Sequence, residues 1–209
     1  MHGMPRFTGL LPTVRSLLFL LTLAIGAAVG LGLTWITTVN GYGPGLVRSG
    51  PWETWPKAGT ETADPYARAA LARAGELPLE LADGIAFTAA VDAKGRALDG
   101  RCDIRLSGSV PQARLWTLTA TDAQGRLIEN AADRSGFTST EVVWNRDGTL
   151  DVLLGPRARP GNWLPTGARD RIVLTLRLYD TPVGLANRTS DAPQMPDLVT
   201  ERCPWDRPS

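Results

Sequence analysis

The chain has 209 residues, 43% hydrophobic and 21% charged, with 22 Lys and Arg against 21 Asp and Glu. That near-neutral balance excludes a protein built to hold nucleic acid, because phosphate binding draws on a basic excess. The length and apolar content suit one folded domain with its own core and exclude a disordered chain.

Arg6 and Arg15 are the only Lys or Arg residues ahead of an uncharged stretch, residues 16–47. Its middle, Leu17 to Ile36, is almost wholly apolar, and twenty residues in helix rise about 30 Å, the depth of a bilayer's hydrocarbon core. Residues 16–39 are therefore expected to form a transmembrane signal-anchor behind a cytoplasmic tail, residues 1–15. A cleaved signal peptide is the alternative, with Gly26-Ala27-Ala28 as the cut. Its apolar region would run only about 7–15 residues, whereas this one continues through Trp35 and Ile36. Arg15 abuts the apolar run and Arg48 lies well beyond it, so the positive-inside rule keeps the N-terminus in the cytoplasm. The remainder then faces the periplasm, with the anchor in the inner membrane of a Gram-negative bacterium. Gly26 and Gly30 have the spacing that lets two membrane helices approach closely, a route to a homodimer. The plainer reading is that glycine is common in such helices.

Residues 40–63 are rich in Gly, Pro and Trp and read as a linker that becomes an extended lead-in, docked on the domain by Trp52 and Trp55. A short helix follows. Asp64 can cap it, Pro65 suits its first position, residues 67–74 have high helix propensity and Gly75 can end it.

From Ile85 the pattern turns to β. Strands are expected over 85–91, 101–107, 114–121, 137–144, 149–154 and 171–179. Turn signals stand at Asp92 to Arg96, Asp122 to Arg126 and Asn145 to Gly148. Ile172, Leu174, Leu176 and Leu178 share one face of the last strand. Cys102, Ile104 and Leu106 share one face of the second. Period-two alternation means one dry and one wet face, which suits antiparallel sheets. The expected fold is mainly β, an antiparallel β-sandwich or jelly roll with one short helix over residues 64–180, followed by a Pro-rich tail, 181–209.

Cys102 and Cys203 are the only cysteines. In an oxidising compartment they read as a disulfide pinning the tail to the second strand; two unpaired thiols are the alternative. The sole histidine, His2, lies on the other side of the membrane in this reading, so no metal site and no cofactor is expected.

Gly50-Pro-Trp-Glu-Thr-Trp-Pro56, Asp64-Pro-Tyr-Ala-Arg-Ala69 and Gly75-Glu-Leu-Pro-Leu79 resemble the start of the bacterial family called domain of unknown function 1214. Leu98-Asp-Gly-Arg-Cys102, Gly136-Phe137, Gly161-Asn-Trp-Leu-Pro165 and Leu176-Arg-Leu-Tyr179 continue the resemblance in order. It implies a β-sandwich or jelly roll and brings no established activity.

No nucleophile elbow, zinc-binding helix or phosphate-cradling loop occurs, so no catalytic residue is assigned. An envelope saccharide hydrolase needs only two carboxylates at a suitable separation, and Asp122, Glu129, Asp133 and Glu141 are its candidates. A binding site fits the residue types better. Arg159, Asn162 and Trp163 lie in one loop-like segment, and Arg177 and Tyr179 share a face of the following strand. Aromatic rings stack on sugars, and Arg and Asn bond hydroxyls and carboxylates. Plain packing accounts for the same residues if Trp163 locks its loop and Arg177 meets an acid. The functional expectation is an anchored cell-envelope binding or assembly module, its partner a glycan or an envelope protein. It carries a concave patch with Arg159 or Arg177 beside Trp163.

Overall fold

The computed structural model describes residues 12–40, 45–75, 78–79, 82–183 and 193–206. The chain divides at residue 42 into two compact units. The tail expected ahead of the anchor lies largely outside the described residues.

The first unit is one helix, α1 (Pro12–Asn40). Its large apolar side chains, Leu17 through Ile36, are exposed along the whole length. Val14–Thr37 is long and apolar enough to cross a membrane. Three of its hydroxyls have partners within the helix: those of Thr22, Thr34 and Thr37 donate to the carbonyls of Phe19, Gly30 and Leu33, one turn back. That is the device by which a hydroxyl enters an apolar solvent without an orphaned donor.

The second unit is a two-sheet β-domain. One sheet holds β1 (Val47–Ser49), β2 (Trp52–Thr54), β3 (Gly84–Ala89), β9 (Ile172–Tyr179), β5 (Leu115–Asp122) and β6 (Gly136–Thr138), in that order and antiparallel throughout. The other holds β10 (Asp197–Arg202), β4 (Asp103–Gly108), β7 (Leu150–Gly155) and β8 (Asn162–Pro165). One core serves both sheets. The six-stranded sheet contributes Phe87, Trp116, Leu118, Leu174, Leu176 and Leu178. The four-stranded sheet contributes Ile104, Leu106, Val152, Leu154, Leu164 and Leu198. These are the inward positions of the alternating runs, and burying them is what holds the sheets face to face.

Helix α2 (Pro65–Ala74) forms as its sequence signals predict. The Asp64 carboxylate accepts from the Tyr66 N–H at 2.8 Å, and Gly75 ends the helix at φ 68°, where a side chain would be strained.

The three turn signals are turns with shared chemistry. Asp92 Oδ1 accepts from the Lys94 and Arg96 N–H groups, and Asp122 Oδ1 from those of Gln124 and Arg126. The Arg96 and Arg126 guanidiniums close on the second oxygens at 2.9 and 2.8 Å. The likeness of the two segments is one turn solution used twice.

Three expectations change. The folded unit is wider than residues 64–180: β1 and β2 come from the lead-in and β10 from the tail, so both segments are sheet. The strand expected over 137–144 ends at Thr138 and turns, because Glu141 folds back onto it. And β7 and β8 pair in parallel across the short link of residues 156–161, although parallel neighbours ordinarily need a dozen or more residues of crossover. The disulfide is present. Cys102 at the entry to β4 and Cys203 at the exit of β10 are bonded, both buried, 101 residues apart.

Candidate functional site

Three of the five expected ligand residues lie in or next to the tight parallel return between β7 and β8, each bonded to the domain. Arg159, in the link, forms an ion pair with Asp103 at 2.5 Å. Asn162 is buried. It accepts from the Val143 N–H at 2.8 Å and donates to the carbonyls of Val143 and Asp151 at 2.8 and 2.9 Å. The Trp163 indole donates to the Gly155 carbonyl at 3.1 Å, tying the start of the link to its end. Trp163 thus bonds a carbonyl at the start of the return, Asn162 ties β8 to β7 and to Val143, and Arg159 ties the link to the start of β4.

Removing the Asn162 amide tests this. Asn162→Leu would remove the partner of the Val143 N–H and of the Val143 and Asp151 carbonyls, and should cost about 1–3 kcal/mol. Chemical denaturation should show the midpoint falling with an unchanged slope. A stability within 0.5 kcal/mol, on the order of an ordinary surface change, would remove Asn162 from this role.

Arg177 and Tyr179 lie elsewhere. Trp163 pairs in register with Leu153 on the outer side of the four-stranded sheet. Arg177 pairs with Ala86 and Thr117 on the outer side of the six-stranded sheet. Trp163 and Arg177 therefore lie on opposite outer faces of the sandwich while Asn162 is buried, and the concave patch joining Arg177 to Trp163 does not form.

What the structure assembles instead is a polar face with a cleft at its rim. Thr88, Thr175, Thr119 and Gly136 form one row across β3, β9, β5 and β6. Ala86, Arg177, Thr117 and Thr138 form the next. Threonine suits a half-buried pleated surface and leaves a hydroxyl on each site. At the β6 rim this face runs into a cleft of about 620 Å³, whose lining includes Thr119, Asp133, Arg134, Gly136, Thr138 and Glu141.

The cleft wall is pre-ordered. Glu141 Oε2 accepts from the Thr138 N–H at 2.8 Å and from its hydroxyl at 2.9 Å, and the Glu141 N–H returns to the Thr138 carbonyl at 3.1 Å. The Thr138 N–H, then its hydroxyl, and the charge of Arg134 hold the Glu141 carboxyl below its ordinary range against desolvation. Arg134 lies over the Phe137 ring and donates to the Trp163 carbonyl at 3.2 Å. Asn130 closes the other end through the N–H and carbonyl of Arg134, both at bond lengths near 3 Å. The free edge of β6 is thus capped on both sides, leaving the backbone N–H and carbonyl of Gly136 open. The exposed Trp144, three residues beyond Glu141, packs edge-on against buried Trp116 at 5.9 Å between centroids.

A hydrolase would need one carboxyl held protonated near neutral pH. Asp133 and Glu141 do share the cleft. Every carboxyl with a resolved shift moves downward, however: Asp92, Asp99, Asp122, Glu141 and Asp147. Asp122 is spent in its turn. The cleft wall holds donors and acceptors fixed by their bonds to one another. Among the described residues no group of three potential metal ligands is brought together.

The same shifts predict acid lability. Burial pushes Asp92 upward, but the Arg96 N–H and guanidinium outweigh it. For Asp122 the Arg126 N–H leads the downward pull. A depressed native carboxyl contributes stability that is complete above its unfolded value, about pH 4, and is lost as pH falls through the native one. The urea midpoint should hold from pH 7 to 5 and drop between about pH 4 and 2, with a shallower drop in Asp92→Asn. A midpoint independent of pH in that window would contradict it.

The sequence offers Asp133 and Glu141 among the candidate carboxylates of a hydrolase and does not single out Arg134. Nothing local marks Arg134, because its role depends on β8 arriving beside β6.

The fold is a two-sheet β-domain with a threonine-rich polar outer face and a cleft at its rim. Residues 83–183 match the model of the family described as protein of unknown function, DUF1214. The β-domain thus matches that family over the motifs from Leu98 to Tyr179, and those from Gly50 to Leu79 lie ahead of the matched residues. A crystal structure of the VPA0106 protein from Vibrio parahaemolyticus is similar, with a TM-score of 0.55 and 17% identity over 66% of this chain. A putative uncharacterised protein from Burkholderia cenocepacia gives a TM-score of 0.42 and 18% identity over 85% of the chain. This chain spans 35% of the Vibrio protein's length and 52% of the Burkholderia protein's. No curated protein matches it.

Proposed function

We propose that the protein is a single-pass, membrane-anchored binding module of the bacterial cell envelope. Helix α1 spans the inner membrane and the β-domain faces the periplasm, where it takes envelope polysaccharide. The threonine-lined face and the cleft at its rim carry the binding reading. Fixed hydroxyls, the open Gly136 N–H and carbonyl and the ordered Glu141 match the alternating donors and acceptors of a sugar chain. The compartment rests on the Cys102–Cys203 bond, since such bonds persist outside the cytosol. Pairing of two copies through Gly26 and Gly30 is part of the same reading, and Gly26→Leu should abolish cross-linking of the helices in native membranes.

The binding test is co-sedimentation of the full-length protein, in detergent micelles, with isolated envelope polysaccharide. Ala132 is exposed on the cleft wall, so Ala132→Trp should fill the cleft without disturbing the core and release the protein to the supernatant. Wild-type protein left wholly in the supernatant would refute the glycan reading.

A further inference from the structure

Large exposed apolar side chains stand singly along the described β-domain, with one exception. Val143 is 71% exposed and the next residue, Trp144, is 41% exposed. Single exposed apolar side chains are ordinary; a joined pair that includes tryptophan marks a contact surface. The pair is also held still. The buried Asn162 amide bonds both the N–H and the carbonyl of Val143 at 2.8 Å. The Trp144 ring meets buried Trp116 edge-on, and the Asn145 N–H donates to the Thr149 carbonyl at 3.0 Å. Such a tip gives up little freedom when it is covered.

The topology points to what covers it. β1, β3 and β5 run in one direction, because one antiparallel strand separates each from the next. Their starts share one end of the domain. β6 finishes at that end, and the loop carrying Val143 and Trp144 follows it. The chain coming from α1 enters the domain at the same end, at Val47, six residues after Asn40. The domain's other exposed tryptophan, Trp205, lies at the opposite end. Arg101 sits over its ring at 5.2 Å, and Leu98 close by accepts from the Ile172 N–H, where β9 starts.

We propose that Val143 and Trp144 rest in the headgroup layer of the bilayer that α1 crosses. The inference rests on the anchor reading above and is independent of the glycan. An indole suits that layer, its ring in the apolar boundary and its N–H in the wet zone. Arg146, exposed two residues on, has a stem long enough to reach headgroup phosphate. The acids of the loop are spent on their own chain, Glu141 on Thr138 and Asp147 on Thr149. A short tether keeps the tip at high local concentration beside the membrane, so a shallow contact suffices.

The test is quenching of tryptophan emission in full-length protein reconstituted into vesicles of zwitterionic lipid, brominated near the top of the acyl chains. Trp35 in α1 reports the anchor and Trp144 reports the tip. With these two carrying the quenched emission, Trp144→Phe should remove about half of it. Val143→Asp should act in the same direction by lifting the tip, with a melting point within about 2 °C of wild type, and it carries the test if Trp144→Phe melts early. Trp205→Phe should leave the quenched emission unchanged. Quenching that stays whole in Trp144→Phe and Val143→Asp overturns the contact and leaves the anchor intact. A loss in Trp205→Phe equal to that in Trp144→Phe overturns the choice of this end. No quenching of any tryptophan, Trp35 included, overturns the anchor together with the contact.

Discussion

Replacing both cysteines, Cys102→Ser with Cys203→Ser, should lower stability by about 4–5 kcal/mol, the chain-entropy value for a loop of roughly 100 residues. For a domain of this size that corresponds to a fall in Tm of roughly 10–20 °C. The two sulfurs are buried and join the first residue before β4 to the first after β10. Those strands already pair from Asp197↔Ser107 to Arg202↔Asp103. The bond therefore closes a ladder that sequence separation makes costly to form. Thermal unfolding of the full-length protein with and without reductant measures the effect. A reduced protein that melts within about 2 °C of the oxidised one would show that the β4–β10 ladder and the core suffice alone. Hydrogen exchange should show where the loss is felt: the amides of β10 ought to lose protection first, because it is an edge strand paired on one side only.

Trp52→Ala should be comparably damaging, about 3–5 kcal/mol by the usual cost of truncating a buried aromatic side chain. Trp52 is fully buried, and its indole N–H donates to the Pro196 carbonyl at 2.8 Å. The substitution would leave both a cavity and an orphaned acceptor. The Ser49 hydroxyl donates to the Pro193 carbonyl at 2.7 Å beside it. The segment before the helix and the segment after the last long strand are thus held together, 144 residues apart in sequence. Urea denaturation checks the cost, and Trp52→Phe should recover part of the lost packing while leaving Pro196 without its donor. If Trp52→Ala unfolds at the wild-type midpoint, the lead-in is an appendage and not a part of the sandwich. Truncating the chain ahead of β3 should be destabilising for the same reason.

The two substitutions together separate kinds of contribution. The disulfide acts largely through the unfolded chain, by limiting what it can explore. Trp52 acts in the folded state, through area buried and a bond made. Their sites are both near β10, so a combined variant should lose less than the sum if that strand is already frayed by either one.

Sequence alone determined the elements whose cause is local. The apolar run from Leu17 to Ile36 could only be a long exposed helix or a buried one, and its length chose. Asp64, Pro65 and Gly75 set both ends of α2 because caps act within a turn of the chain. Alternation in β4, β7 and β9 named the buried face of each, since neighbouring side chains on a strand must point opposite ways. The cysteine pair and the turn aspartates were legible for like reasons of chemistry. The short strands were not. β1, β2 and β8 have three or four residues each, too few for a period to show, and they are strands only because a neighbour offers its edge. Tertiary structure also decided the site. It turned Arg159, Asn162 and Trp163 into the fastenings of a parallel return, and moved Arg177 to the opposite face. It drew Arg134, Glu141 and Thr138 into one cleft wall. Which residues share a strand face is written in their spacing; which faces meet, and which edge is left open, depends on pairings between distant segments that no local pattern encodes.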